Sequence, residues 1–274
     1  METSRHREKI NRDTNLIARS FGALTLTLVM LGFGSALETK ASAQEEFPQP
    51  VVLAEGNGVT FAMPSSANLG SAYDGTSENP VVGITAVPVK GQATDGYDLV
   101  AKDGQVAQIG GANYYGGAGY LKLDAPVVGI ASTPDGGGYW EVAVDGGVFS
   151  FGDARFYGSM GGKKLDAPVV GIIPTPDGQG YWLAAKDGGV FSFGDAKFYG
   201  SAPEYYAESG LKSPNNFVGI LPMNSSSGDG YVIYNSSGDS LYFSAASPAR
   251  YVPSPVAHLS DVVGGVNVSV NAGL

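Results

Sequence analysis

A repeat of 42 to 48 residues constrains the fold of this chain more than any other feature. The string Pro-Val-Val-Gly-Ile starts at residues 80, 126 and 168, and degenerate copies start at residues 216 and 261. The starts are therefore 46, 42, 48 and 45 residues apart. Two copies, residues 123–159 and 165–201, are nearly identical over their whole length. Periods of this length are typical of propellers and other repeat architectures.

Each repeat divides into four short segments with the composition of β-strands. In one copy these segments are Val127–Ser132, Tyr139–Val144, Val148–Phe151 and Arg155–Ser159. Glycine-rich turns separate them, and the Asp-Gly-Gly at 145–147 suits the positive-φ positions of a tight hairpin. The second segment, Tyr139–Val144, does not alternate cleanly between apolar and polar residues, as expected for sheets that are buried on both faces. This pattern predicts one blade of a β-propeller per repeat.

The two ends of the chain carry complementary parts of one repeat. Near the N-terminus, Val51–Gly56, Val59–Ala62 and Asn68–Ser71 match the second, third and fourth strands. Near the C-terminus, Val262–Val268 matches a first strand alone. Pairing the two ends would close a ring without free sheet edges. The sequence therefore predicts an all-β, five-bladed β-propeller with one blade shared between the termini. An open stack of β-hairpins is the alternative.

The domain organisation follows from the repeat starts. We expect a signal peptide over residues 1–43 and a single β-propeller domain over residues 44–274. Residues 44–79 hold strands two to four of the shared blade with a linker, and residues 261–274 hold its first strand. The four whole blades are predicted at residues 80–125, 126–167, 168–215 and 216–260.

The N-terminal segment has the features of a secretory signal peptide. Five basic residues lie within the first 19 positions, followed by an apolar stretch, Phe21–Leu37, and a small-residue site, Ala41–Ala43. An uncleaved membrane anchor is the alternative, although the stretch is at the short end of what a spanning helix needs. We expect cleavage and a mature protein that is secreted or lies at the cell surface, without a membrane contact of its own.

Composition excludes several functional classes. The chain has no cysteine, which excludes a disulfide scaffold, a cysteine-ligated zinc site and a cysteine nucleophile. Its 16 basic and 26 acidic residues give a net charge of −10. Residues 1–43 hold six of the basic and four of the acidic residues, so 10 and 22 remain after cleavage, a net charge of −12. Nucleic acid, which requires a basic footprint, is not an expected partner.

The repeat also resembles one that occurs in a known group of proteins. The unit PVVGI-x2-TPDG-x-GYW-x4-DGGVFSFGDA-x-FYGS is similar to a repeat common in secreted actinobacterial proteins. The similarity covers about residues 51–268 and is strongest at 123–201. The part DGGVFSFGDARFYGS also resembles the DG-x-V-x-x-WG pattern of RCC1-type propellers. The resemblance implies a propeller-like accessory module of the kind found beside peptidase, amidase or glycoside-hydrolase domains.

No catalytic, cofactor or metal site is predicted. The mature chain has one histidine, His258, and lacks the nucleophile-elbow, zinc-protease, phosphate-loop and dinucleotide motifs. The calcium spacings of the EF-hand and of nonapeptide repeats are absent as well. A pair of carboxylates could still act as in glycoside hydrolases. Most acids, however, are repeat-equivalent turn residues that suit hydrogen bonding to their own turns. These pairs are Asp135 with Asp177, Asp145 with Asp187, and Asp153 with Asp195.

Aromatic residues at equivalent positions are the binding candidates. Those of the second strands suit either packing between sheets or stacking on a sugar, because the rings of Tyr and Trp are apolar with a polar tip. They are Tyr97, Tyr139, Tyr181 and Tyr231, with a tryptophan after two of them. The tyrosines of the fourth segments are expected nearer the rim, and two more lie in an insertion at residues 203–215, a place where repeat proteins often bind. The ligand-binding candidates are Tyr115, Tyr157, Tyr199, Trp140, Trp182, Tyr205 and Tyr206.

Three functional hypotheses follow. The first is a secreted, non-catalytic binding module for a glycan or a cell-envelope polymer. The alternatives are a small propeller glycoside hydrolase or lyase, and a structural protein-interaction module of the envelope. Non-repeated acids converging on a central channel would favour the enzyme, exposed equivalent aromatics would favour glycan binding, and a large apolar patch would favour a protein partner.

Overall fold

A computed structural model describes residues 51–55, 60–63, 78–89, 92–223, 230–253 and 262–267. The predicted signal peptide, the predicted strand at residues 68–71 and His258 lie outside these ranges. Within them, no helix combines the length and apolar character that crossing a membrane requires.

The described residues form five antiparallel sheets, which we number in chain order. Sheet 1 contains β1 (Val51–Glu55), β2 (Thr60–Met63) and β16 (Val262–Asn267). Sheet 2 contains β3 (Val81–Val89), β4 (Gln92–Ala101) and β5 (Val106–Gly110). Sheet 3 contains β6 (Val127–Ser132), β7 (Gly138–Ala143) and β8 (Val148–Gly152). Sheet 4 contains β9 (Val169–Pro174), β10 (Gly180–Ala185) and β11 (Val190–Gly194). Sheet 5 contains β12 (Phe217–Pro222), β13 (Gly230–Asn235), β14 (Ser240–Ser244) and β15 (Ser247–Val252).

Sheet 1 is built from the two ends of the chain. Strand β1 pairs with β2 on one side and with β16 on the other, and Val52 stands opposite Val266 in that second pairing. The first strands of the sheets are neighbours in the order β16, β3, β6, β9 and β12. The all-β prediction is therefore confirmed, with small antiparallel sheets arranged one after another.

The glycine of the repeated Val-Gly-Ile allows the first strands to approach each other closely. A Cβ atom placed on Gly83 would lie 3.1 Å from the Cα of Gly129. The next steps along the row are slightly wider, since a Cβ on Gly129 would lie 3.8 Å from the Cα of Gly171. The glycine in this motif therefore lets the backbones of neighbouring first strands pack directly against each other. It lies within a strand and is not a turn residue.

Backbone hydrogen bonds tie each sheet to the one before it at the same place. The N–H of Val127 in sheet 3 donates to Lys102 O of sheet 2 at 2.9 Å, and Val169 N–H repeats this contact to Val144 O. Phe217 N–H of sheet 5 does the same to Lys186 O, which follows β10 of sheet 4. These backbone hydrogen bonds therefore join successive sheets in the same way, independently of the side chains between them.

The predicted fourth strand is wrong for most units. Arg155–Ser159 makes no strand pairing with β8, because the chain turns at Gly152, whose φ of 68° places it in the left-handed region, and then runs across to sheet 4. We call residues 111–118, 153–160 and 195–202 the crossing segments. Sheet 5 alone among the described sheets has a fourth strand, β15. The insertion at 203–215 begins as a short helix, α1 (Ala202–Glu208), with Pro203 in its first turn.

Candidate ligand-binding surface

Buried tyrosine hydroxyls hold each crossing segment against the next sheet. The Tyr181 hydroxyl donates to Gly158 O at 2.6 Å and accepts the N–H of Tyr157 at 3.2 Å. Tyr139 makes the same pair of contacts with Gly116 and Tyr115. In sheet 5 the corresponding hydroxyl is that of Tyr231, which bonds Gly200 O and Tyr199 N. Burial raises the pKa of Tyr231 to about 12, so the hydroxyl keeps its proton for this bond.

The two tryptophans lie in the core. The indole N–H of Trp140 donates to Arg155 O at 2.8 Å, and its ring packs against Tyr181 with 5.6 Å between centroids. Trp182 repeats both contacts with Lys197 O and Tyr231. Neither ring presents a face to solvent. Of the two roles open to them, the geometry supports packing between sheets, and a ligand could not stack on either indole without displacing a crossing segment.

The tyrosines of the crossing segments are only half open. The hydroxyl of Tyr157 donates to Gly178 O at 2.9 Å, and that of Tyr115 donates to Gly136 O at 3.0 Å. Each ring also contacts the buried tyrosine of the next sheet, as Tyr157 does with Tyr181 at 5.7 Å. Tyr199 likewise lies half-buried against Trp182. These rings fasten the segments and are only partly exposed.

The most exposed equivalent aromatics lie one residue earlier. Tyr114, Phe156 and Phe198 precede the half-buried tyrosines and are 48%, 56% and 49% exposed. Successive side chains of an extended segment point to opposite sides. Because the following tyrosine faces the next sheet, each of these rings faces solvent. We call Tyr114, Phe156 and Phe198 the ring row. The sequence analysis chose the tyrosine that follows each of these rings and so missed the ring row. The pair of aromatic residues before a glycine in each of these units could have indicated it.

A further exposed aromatic residue, Tyr120, follows the first crossing segment and is 86% exposed. Partial desolvation and an interaction with Tyr120 raise the pKa of Tyr114. In the next unit the position equivalent to Tyr120 is Gly162, which has no side chain.

The tyrosines of the insertion lie on helix α1. Tyr205 and Tyr206 meet edge to face with 5.4 Å between their ring centroids. Both are half-buried and pack against the apolar core between sheets 4 and 5, which includes Phe217 and Leu241. They add a partly open aromatic pair near the last crossing segment.

Two buried acids interrupt the repeat. Asp98 stands in β4 where the next two units have Trp140 and Trp182, and Glu141 stands in β7 where the next has Leu183. Burial raises the pKa of Asp98 to about 7 and that of Glu141 to about 8. One oxygen of Glu141 accepts the N–H of Ala118 at 3.2 Å.

Neither acid is open to solvent. Both side chains are almost fully buried. The first strands, where a central channel would open, carry no acidic residue at all. The non-repeated acids therefore lie between sheets rather than around a channel.

Two of the three repeated pairs of aspartates, Asp135 with Asp177 and Asp145 with Asp187, accept hydrogen bonds within their own turns, whereas Asp153 accepts the Thr133 hydroxyl of another turn at 3.3 Å. Asp145 accepts the N–H of Gly147 at 2.9 Å, and Asp187 accepts that of Gly189 at 3.0 Å. The hydroxyl of Thr133 donates to Asp135 at 2.8 Å, which lowers the pKa of that carboxyl. No group of three or more acidic or histidine side chains suited to a metal ion occurs in the described ranges.

No model of a known protein family matches the chain, and no curated protein is significantly similar to it.

Proposed function

We propose that this chain is a secreted, non-catalytic five-bladed β-propeller that binds an extracellular glycan or cell-envelope polysaccharide. The observation that carries the proposal is the ring row, three solvent-facing aromatic rings at equivalent positions of successive repeats. A flat apolar ring matches the C–H face of a sugar, and polar neighbours can bond its hydroxyl groups. Such neighbours precede each ring, as Asn113, Arg155 and Lys197.

The propeller part of the proposal is supported by the order of the sheets. First strands are neighbours from β16 through β12, and β16 pairs with β1 at the other end of the chain. A ring requires, in addition, that β12 lies beside β16. Small-angle X-ray scattering of the secreted form tests this, because a compact domain of 231 residues (274 − 43) has a radius of gyration of about 17 Å. An open stack of sheets would give a clearly larger value and would rule out the ring.

The binding part is supported by the distribution of the rings. One exposed ring gives weak affinity, but a polymer that touches several at once gains from the high effective concentration of the remaining sites. The net negative charge of the chain favours a neutral sugar polymer over an anionic one. The buried positions of Asp98 and Glu141 give the hydrolase alternative no support.

Affinity electrophoresis through gels containing β-glucan, mannan or solubilised peptidoglycan tests the binding. We expect at least one polymer to retard the protein, and Phe156→Ala to weaken that retardation by roughly fivefold to tenfold, as loss of one aromatic contact implies. Leu211→Ala is the matched control, since Leu211 is equally exposed but lies outside the crossing segments. Free migration of the wild-type protein in every gel would contradict the proposal.

A further inference from the structure

The first crossing segment is held by a different contact from the other two. In the second segment the N–H of Met160 donates to Gly146 O, a carbonyl of the turn between β7 and β8, at 2.9 Å, and the third segment repeats this bond. In the first segment Ala118 occupies the position of Met160, but its N–H donates to the carboxyl of Glu141 at 3.2 Å. A side chain that can change its charge therefore replaces a backbone acceptor.

Two side chains of β7 hold this segment. The hydroxyl of Tyr139 bonds Tyr115 and Gly116 in the middle of the segment. Glu141 lies two residues further along the same face of the strand and bonds the end of the segment. In sheet 4 the position of Glu141 is occupied by Leu183, which has no acceptor. The first segment thus has a second, ionisable fastening that the next segment lacks.

The segment also covers the carboxyl that holds it. Glu141, Gly117 and Ala118 are all buried. A Cβ atom placed on Gly117 would lie 3.6 Å from the bonded carboxyl oxygen, so the backbone of the segment packs directly over the group. The other carboxyl oxygen is buried and has no hydrogen-bond partner among the described residues. The backbone bonded by Glu141 is therefore also the cover that keeps water away from it.

The surroundings of this carboxyl disfavour a negative charge. The side chains opposite Glu141 in β6 and β8 are those of Ile130 and Phe149, which are apolar. Burial raises the pKa of Glu141 to about 8. An ionised carboxyl under the segment would be a buried charge with a single hydrogen bond, which is costly. The titratable side chains that interact electrostatically with it in the described part of the chain are all acidic, namely Asp103, Tyr114 and Tyr139.

We propose that the first crossing segment is a pH-operated latch, which Glu141 keeps shut while its carboxyl is neutral and releases when the carboxyl is ionised. A group that binds its proton more tightly in the shut state favours that state at low pH, and this effect is lost as the pH rises through its pKa. Release frees Tyr114, the first member of the ring row. The effect on ligand binding rests on the proposed function, whereas the opening itself does not.

Limited proteolysis of the full chain with chymotrypsin tests the latch, because cleavage follows the population of the open form when opening and closing are fast. The Tyr115–Gly116 bond of the first segment and the Tyr157–Gly158 bond of the second are a matched pair. Mass spectrometry of the fragments gives the ratio of the two cleavage rates, in which changes in the activity of the protease cancel. We expect this ratio to rise at least about tenfold from pH 6 to pH 9.

Two substitutions separate the latch from other effects of pH. Glu141→Gln keeps an acceptor for Ala118 but does not ionise, and Glu141→Leu has the residue type of sheet 4. In both variants the cleavage ratio should be the same at pH 6 and pH 9, and either one decides if the other fails to fold. A constant ratio in the wild type, or an equal rise in the wild type and the variants, would overturn the latch.

Affinity electrophoresis at the same two pH values tests the consequence for binding. In β-glucan, mannan or solubilised peptidoglycan gels that retard the wild type at pH 6, we expect retardation at pH 9 to be roughly fivefold to tenfold weaker, as loss of one aromatic contact implies. Glu141→Gln should be retarded equally at both values, and equal retardation of the wild type would overturn the effect on the ring row. Free migration of the wild type in every gel would overturn the proposed function instead, while the proteolysis ratio would still decide whether the latch exists.

Discussion

We call the contact between two neighbouring sheets a seam. The seam between sheets 3 and 4 differs from the seam between sheets 2 and 3 in the side chains at the tryptophan position. In the first, Trp140 of sheet 3 packs on Tyr181 of sheet 4, with Leu183 beside it in an apolar cluster. In the second, the cross-strand neighbours that face sheet 3 are Thr85, Asp98 and Gln108.

The polar seam, between sheets 2 and 3, also contains an apolar cluster around Val100, Val127 and Tyr139, and it differs from the other seam in the polar side chains at the tryptophan position. The hydroxyl of Thr85 in sheet 2 accepts the N–H of Ser132 in sheet 3 at 3.0 Å. Asp98 stands at the position of the tryptophan, and one of its oxygens has no hydrogen-bond partner among the described residues. An unpartnered buried oxygen weakens a seam, so we infer that this seam is the less stable of the two.

The contacts that both seams share show what the repeat requires. Each has a buried tyrosine, Tyr139 or Tyr181, whose hydroxyl bonds the crossing segment. Each also has the backbone bond from a first strand to the preceding turn, from Val127 or Val169. These contacts fix how sheets are joined, and the tryptophan position is free to vary around them.

The largest difference between the seams should appear on truncation to alanine. We expect Trp140→Ala to lower the free energy of unfolding by about 3–5 kcal/mol, because it leaves a cavity beside Tyr181 and an unpaired Arg155 carbonyl. Asp98→Ala should cost far less or stabilise the protein, since it removes a buried acid. Urea denaturation of both variants measures the difference, and equal losses would show that the seams do not differ as described.

The pH should act on the polar seam alone. Glu141 binds its proton more tightly when folded, with a pKa of about 8 against an ordinary value of 4.5. Folding stability therefore falls as the pH rises from about 4 towards 8, and we expect a loss of about 2 kcal/mol between pH 6 and pH 8. Asp98 contributes in the same direction, with a pKa raised to about 7.

The variant Glu141→Gln separates this titration from other effects. It should lower the slope of stability against pH, whereas Leu183→Ala, in the apolar seam, should leave the slope unchanged. Thermal unfolding at both pH values provides the measurement. A wild-type stability that rises between pH 6 and pH 8 would contradict the burial of these carboxyls.

Loss of one tyrosine hydroxyl should have a moderate effect on either seam. Tyr181→Phe leaves Gly158 O and the Tyr157 N–H without their shared partner, and we expect a loss of about 1–2 kcal/mol. Tyr139→Phe should cost a similar amount, because its contacts are equivalent. Chemical denaturation of the two variants checks this, and a clear inequality would mean that the hydroxyl contacts are not a common element of the seams.

The smallest effect on stability is expected at the ring row. Phe156→Ala should change the free energy of unfolding by less than about 0.5 kcal/mol, because the ring is largely in solvent. The much larger loss of stability expected for Trp140→Ala would distinguish rings that pack in the core from rings that are available for binding. A loss above 2 kcal/mol in differential scanning calorimetry would show that Phe156 belongs to the core.

Sequence periodicity was sufficient for the strands but not for the path between sheets. The first three strands of each unit alternate with Asp-Gly turns, and their hydrogen bonds are local, so Val127–Ser132 could be located from sequence. The fourth segment, Arg155–Ser159, also contains aromatic residues, but its partner is the hydroxyl of Tyr181 in the next sheet. Such a contact leaves no local pattern.

The candidate site was located to within one residue, for a related reason. Trp140 and Phe156 are both aromatic and both repeated, and sequence alone does not show which one faces solvent. The hydrogen bond from the Ala118 N–H to Glu141 was not foreseen, because sequence analysis had not singled out Glu141. A departure from the repeat at a buried position was the available signal.

Cumulative removal of the ring row tests the account most directly. Affinity electrophoresis would compare the wild type with Phe156→Ala, with the Phe156→Ala/Phe198→Ala double variant, and with the triple variant that adds Tyr114→Ala. We predict a stepwise loss of polysaccharide binding, roughly fivefold to tenfold for each ring, at an unchanged melting temperature. A triple variant that is folded and retarded as strongly as the wild type would contradict the account.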